Sequence, residues 1–297
     1  MDEAQTFVTT LIRDFARSAE NSLKARESEP GWAGEPAWDE PLVGFSSGSD
    51  PIYAAFKDHV GEFHWSPAEA FAQAFPEDPA RPEELTVVSW ILPQTGATRQ
   101  DQQTQTRLPA ERWIRSRIFG ELFNEALRRH VAAALEAAGR PAAAPALSSA
   151  FKIVPSERFH LASTWSERHA AFASGLGTFG LCDGLITPRG KAMRAGSVVV
   201  RWKVAPTPRP YQDPHAYCLH YTHDACRECI QRCPAGALSR EGHDKRRCNA
   251  YIQGEVVPYT KEHFGFPGRG GCGLCQTDVP CSSKIPTMDD LAERSGR

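Results

Sequence analysis

The residues of this chain best suited to chemistry are its nine cysteines, all of which lie between positions 182 and 281. The stretch Cys226-Arg-Glu-Cys229-Ile-Gln-Arg-Cys233-Pro234 has the spacing C-x2-C-x3-C-P, the close of a bacterial ferredoxin-type run whose last cysteine serves a second cluster. Thiolates at that spacing sit on a tight turn, where both sulfurs and nearby backbone N–H groups can face one iron–sulfur cube. Farther on stand Cys248, then Cys272-Gly-Leu-Cys275, then Cys281. Two four-iron cubes need eight thiolates, and setting Cys182 aside leaves eight. The swapped connectivity assigns Cys233, Cys248, Cys272 and Cys275 to one cluster. It assigns Cys226, Cys229, Cys281 and one upstream residue to the other. Cys218 supplies a thiolate for that last place, while His223 stands at the usual spacing and is the alternative. Zinc is the plainer reading of paired C-x2-C motifs, but it leaves the C-P ending and the long-range half-motifs unexplained. Cys182 reads as a small buried apolar residue.

A second candidate is Gly175-Leu-Gly177-Thr-Phe-Gly180, a G-x-G-x-x-G spacing. A dinucleotide site needs a strand before the glycines and an acidic residue about twenty positions on. Here the preceding SERHAAFAS reads as a helix capped by Thr164 or Ser166, and basic and small residues stand where the acid is needed. The glycines therefore end a helix, and a helix stop is their simplest role.

The elements that must position these groups can be read from periodicity. Phe7, Leu11 and Phe15, with Val8 and Ile12 beside them, predict an amphipathic N-terminal helix. Residues 29–82, rich in Pro, Gly and Trp, predict a packed loop with short helices. LTVVSWIL, 85–92, predicts a buried strand closed by Pro93. The longest helix is expected over 111–139, with Trp113, Ile114, Ile118, Leu122, Phe123, Leu127, Val131 and Leu135 on one face and Gly139 as its cap. Strands are expected over 146–154, in LCDGLIT and over 196–204. The last two are joined by the basic turn PRGKAMRA. After Pro206 the texture becomes short and punctuated by Cys, Pro and Gly, without a long periodic helix, so a small metal-organised domain is expected from about 205.

Composition narrows the class. The 297 residues carry a net charge of −2, but from Pro188 onward there are 17 Lys and Arg against 11 Asp and Glu. That surplus is dispersed and lacks interleaved aromatics, so it fits partner docking and cluster charge better than RNA binding. No apolar run reaches the length of a membrane span, and neither a signal-peptide order nor a twin-arginine pair stands near the N-terminus. A cytoplasmic protein without membrane contact, its thiols reduced, is the expectation.

WSERHAAFASGLGTFG, GLITPRGKAMRAGSVVV, CIQRCPAGAL, RRCNAYI and GCGLCQ together resemble epoxyqueuosine reductases and the related reductive dehalogenases. The resemblance covers roughly residues 85–281. It implies an α+β protein: a nitroreductase-like α/β domain binding cobalamin, here 1–204, followed by a ferredoxin-like domain with two 4Fe-4S clusters, here 205–297. It implies electron flow from the clusters to cobalt and on to a small-molecule or modified-nucleoside substrate, with reduced ferredoxin or flavodoxin as donor. It also puts Gly175, Gly177 and Gly180 at the corrinoid. Where those reductases carry a proton-donating aspartate, this chain reads His160-Leu-Ala-Ser-Thr-Trp165. The titratable groups near the glycine loop are His160, Glu167, His169 and Asp183, and each is a candidate proton donor. Two other readings stay open. One is a ferredoxin-class electron carrier that docks a partner enzyme and binds no corrinoid; the other places a flavin in the N-terminal domain. Binding of tRNA is not expected.

Overall fold

A computed structural model describes residues 2–24, 30–268 and 270–295. Met1, residues 25–29, Arg269 and residues 296–297, which the expected domains and the aromatic-rich segment include, lie outside the described residues. The chain opens with helix α1 (Glu3–Ala16), started by a capping box in which Asp2 accepts from the Gln5 amide at 2.7 Å and Gln5 accepts in return at 3.0 Å. Its buried stripe is Val8, Ile12 and Ala16, while Phe7 stays 44% exposed and meets only the edge of Trp202.

The aromatic-rich segment holds more order than a loop. It contains strand β1 (Leu42–Ser47) and helices α2 (Ile52–Val60) and α3 (Pro67–Ala72). Strand β2 (Thr86–Pro93) follows, then α4 (Gly96–Gln103), α5 (Glu111–Ala137) and the two-residue β3 (Ala142–Ala143). The strand expected over 146–154 is instead a 3-10 turn leading into a hairpin of β4 (Ile153–Ser156) and β5 (His160–Ser163). Helix α6 (Glu167–Ala173), the short pair β6 (Thr178–Phe179) and β7 (Leu185–Ile186), and strand β8 (Met193–Val200) complete this part.

The main sheet has the order β1-β2-β8-β3 and is antiparallel throughout. All eight residues of β2 are buried because helices cover both faces, which gives a continuous apolar run in an antiparallel strand. Alternate side chains feed separate cores. Val88, Trp90 and Leu92, with Val198 and Val200 of β8, pack with α1 and with Phe123, Leu127, Val131 and Leu135 of α5. Val87, Ile91 and Val199 pack on the other side with Trp165 and the alanines of α6. Each large apolar side chain so buried contributes roughly 1.5–3 kcal/mol, so the three-layer sandwich is a rigid base. Leu122, expected on the buried face of α5, is 47% exposed.

The C-terminal segment contains α7 (Leu219–His223), α8 (Glu228–Gln231), the hairpin β9 (Leu238–Ser239) and β10 (Gly242–His243), α9 (Lys245–Tyr251), α10 (Val257–Phe264) and α11 (Met288–Ser295). A π-helical turn over Ile252–Val256 joins α9 to α10, so helix runs without a break from 245 to 264, where only short pieces were expected. Packing does not divide at residue 205. Leu181, Cys182 and Ile186 share one small core with Cys218, Cys229, Leu238, Val279 and Cys281, and Ile114 and Ile118 share another with Val256.

Candidate functional site

The eight cysteines assigned to clusters fall into two groups around two cavities. Cys218 at the start of α7, Cys226 just before α8, Cys229 within it, and Cys281 border a small cavity together with Ile186, Lys191 and Pro280. His223 is exposed, hydrogen-bonds Thr222 at 2.7 Å and does not border it, whereas Cys218 does. Cys233, Cys248, Cys272 and Cys275 border the second cavity, of about 720 Å³. Among the described residues, no three His, Cys, Asp or Glu side chains converge as a single metal ion requires.

The loop carrying Cys272 and Cys275 is held by the sheet-bearing part of the chain. Gln102 of α4 donates to the Cys272 carbonyl at 2.8 Å, and Trp113 of α5 donates to the Gly271 carbonyl at 3.0 Å. Gly273 takes φ +65°, and a Cβ there would stand 2.0 Å from the Trp113 ring. Only glycine fits both demands. The Lys191 amide likewise donates to the Cys281 carbonyl at 2.9 Å.

Lys191 and Cys182 link the two cavities, a place that motif spacing assigns to neither. The Lys191 side chain borders both, is 2% exposed, and donates to the Cys182 sulfur at 3.4 Å. Cys182 borders the large cavity and its sulfur also meets the Cys275 thiol. It is buried in an apolar core, as its type suggests, and its sulfur also makes these two contacts.

The remaining wall of the large cavity is built by α5, the start of α6 and β8. Arg128 reaches Glu121 at 3.2 Å and Glu167 at 3.0 Å, and Arg194 pairs with Glu121. Ser197 donates to Glu167 and in turn accepts from the Trp165 indole at 2.9 Å. Burial pushes the Glu167 carboxyl above the usual carboxylate range, against the opposing pull of Arg128 and Ser197. Arg117 and Arg168 line the same space. The Arg117 guanidinium is drawn down to about 9 by the charge of Arg194 and by burial.

The four candidate proton donors part company here. Glu167 faces the cavity. His169 lies among Phe56, Phe179 and His64, bonded to Ser166, and burial holds it well below the ordinary histidine range, neutral and away from the cavity wall. His160 starts β5 with φ +62° and is likewise off the cavity wall. Asp183 pairs with His243 at 3.0 Å and Lys245 at 3.3 Å. Burial opposes its charge, but these partners outweigh it and bring the carboxyl down to about 2, so Asp183 has no proton to give near neutrality. The glycines also face protein. Gly175 follows the Ser166-capped α6 with φ +77°, and a Cβ on it would stand 2.7 Å from the Pro208 carbonyl. On Gly177 it would stand 2.3 Å from the Ile186 carbonyl, and none of the three glycines borders the large cavity. The space beside Gly175 and Gly177 is filled by backbone carbonyls of this chain.

Arg117, Glu121 and Arg128 were not singled out from the sequence although a signal was present. They are charges spaced by four and seven along a helix whose apolar face alone drew the prediction.

No protein-family model matches the chain, and no curated protein matches it in sequence. Solved structures do. A catabolic reductive dehalogenase, NpRdhA, in complex with 3-bromo-4-hydroxybenzoic acid, matches at a TM-score of 0.51 and 15% identity, over 98% of this chain and 38% of its own. A reductive dehalogenase structure described as suggesting a mechanism for B12-dependent dehalogenation matches at 0.50 and 15%, over 86% of this chain and 31% of its own. Epoxyqueuosine reductase from Bacillus subtilis matches at 0.42 and 15%, over 83% of this chain and 62% of its own. The chain thus shares the fold of reductive dehalogenases and spans about a third of the length of those it matches. Among the described residues, no helix is long and apolar enough to cross a membrane.

Proposed function

We propose that this chain is a cobalamin-dependent iron–sulfur oxidoreductase, its two 4Fe-4S clusters held by the two cysteine quartets and its corrinoid by the large cavity. The observation that carries the reading is the second quartet. Cys233, Cys248, Cys272 and Cys275 border the same cavity as Glu167, Arg128 and Arg194, so one space joins cluster thiols to a charged, partly buried wall. Four thiols drawn from ferredoxin-type half-motifs around one cavity suit a multi-iron cube better than a lone zinc. The dehalogenase-like fold supports the corrinoid. A cobalamin bound there supplies the low-valent metal chemistry by which electrons reach a substrate.

The protein's own residues do the rest. Clusters held by the Cys218 quartet and the Cys233 quartet would supply one-electron transfer between a donor such as reduced ferredoxin or flavodoxin and the large cavity, which the Cys233 quartet borders. Glu167, held by Arg128 and Ser197 and pushed toward its protonated form by burial, keeps a proton at the cavity wall for the reduced product. The substrate is a small molecule or a modified nucleoside.

Anaerobic reconstitution tests this reading. The protein should bind eight irons, Cys218→Ala about half as many, and His223→Ala the full complement. Added hydroxocobalamin should bind stoichiometrically and change its absorption and EPR spectra. Eight irons without corrinoid binding would make the chain a ferredoxin-class carrier, and a tightly bound flavin would replace the corrinoid.

A further inference from the structure

The wall of the large cavity carries four arginines and Lys191 against three carboxylates, Glu121, Glu125 and Glu167, and the charges do not balance. Glu121 and Glu167 are engaged by Arg128, and Glu121 by Arg194 as well. Glu125 also borders the cavity but is turned to Arg129, at 3.4 Å. Among the described residues Arg117 makes no hydrogen bond or ion pair, and Arg168 donates only to the Asp183 carbonyl. Arg117 is half-buried and Arg168 is exposed, and both border the cavity. Each also feels the charge of Arg194, which opposes its own. Two guanidiniums without an ion-pair partner, set in a space large enough for a ligand, form an anion site in all but the anion.

We propose that Arg117 and Arg168 form the recognition site for an anionic group, a carboxylate or phosphate, on the small molecule this cavity takes. The inference rests on the reductase reading only for the word substrate; the site itself needs no corrinoid. A planar guanidinium offers two parallel N–H donors to either oxyanion, and the low-dielectric wall strengthens the contact. Neutral analogues would leave both cations unpaired and bind weakly.

One competing role is built into the place. Arg117 runs beside Gly271, whose added Cβ would stand 2.9 Å from its Nε, and so lies close to the loop of Cys272. It could therefore serve the cluster's own negative charge. Calorimetry on the anaerobically reconstituted protein separates the two, with benzoate and phenyl phosphate as probes and benzamide as the neutral isostere. Benzoate and phenyl phosphate should bind at least tenfold more tightly than benzamide and weaken as salt rises. Arg117→Gln and Arg168→Gln should each lose roughly tenfold to a hundredfold of that affinity, the range expected for a charge-assisted hydrogen bond. Benzamide binding, iron content and the cluster EPR signals should stay as they were. Equal binding of benzoate and benzamide would overturn the proposal. So would an Arg117→Gln protein with altered cluster signals and unaltered benzoate affinity, because the arginine would then serve the cluster. Benzoate binding without cobalamin binding would sink the corrinoid reading and leave this site standing.

Discussion

Lys191 is a lysine with almost no water around it, and it has no carboxylate partner within reach among the described residues; its ammonium instead donates to the Cys182 sulfur. A buried ammonium is costly unless something negative stabilises it. Here the thiols of both quartets surround it, with Cys182 nearest and Cys281, Cys229 and Cys275 beyond. With clusters in place it offsets their charge, and it offsets the more negative reduced state most. Net charge and hydrogen bonds to sulfur are among the terms that set a cluster's potential. Lys191→Met, which keeps the length and loses the charge, should therefore bind the same iron and show lower midpoint potentials in an EPR-monitored redox titration. Unmoved potentials would mean that Lys191 only fills space between the two sites.

Among the elements, the cysteine-bearing loops are not self-sufficient. The loop of Cys272 and Cys275 takes its shape from α4 and α5, through Gln102, Trp113 and the backbone of Gly273. Gly273→Ala adds a methyl where the Trp113 ring already stands, on a backbone conformation that favours glycine. The substitution should empty the cavity-side cluster and spare the other, so iron should fall from about eight to about four per chain while the far-UV spectrum stays unchanged. Loss of both clusters would show that the quartets assemble as one unit. Helix α5 does double duty: its apolar residues pack the sheet while Arg117, Glu121 and Arg128 reach the cavity. Helix α6 contributes its first residues in the same way, its cap at Ser166 placing Glu167 and Arg168 at the cavity wall.

For the molecule as a whole, two kinds of core carry different risks. The sheet cores are built from large aliphatic and aromatic side chains on both faces of β2 and β8. The core beneath the small cavity counts Cys182, Cys218, Cys229 and Cys281 among its eight buried members, so half of its buried side chains are thiols. A core so rich in thiols would depend on bound clusters for its order. Chelation of iron under reducing conditions should open residues beyond about 205 to protease, leaving a resistant fragment that contains the sheet. Mass spectrometry of the digest reads this directly, and cuts scattered equally through residues 30–200 would contradict it.

Features that depend on near neighbours in the chain were legible before any fold was known. The α1 and α5 helices, the β2 run, the Ser166 cap and the glycine stop of α6 follow from periodicity and capping chemistry, which act within a few residues. The grouping of the eight cysteines around two cavities, with Cys218 and not His223 at the smaller one, follows the grouping that their spacing suggested. The rest depends on residues far apart in the chain. Strand β1 was hidden in a Gly- and Pro-rich stretch because only pairing with β2 makes it a strand. No local signal separates His169 and Asp183, which are packed or paired away from the cavity, from Glu167, which faces it; burial and partners decide that. Nor could the spacing of GLGTFG reveal that Pro208 and Ile186 fill the space beside Gly175 and Gly177. The cations Arg117 and Arg168 stand 51 positions apart in the sequence, and only the packing of α5 and α6 around one cavity turns them toward the same space.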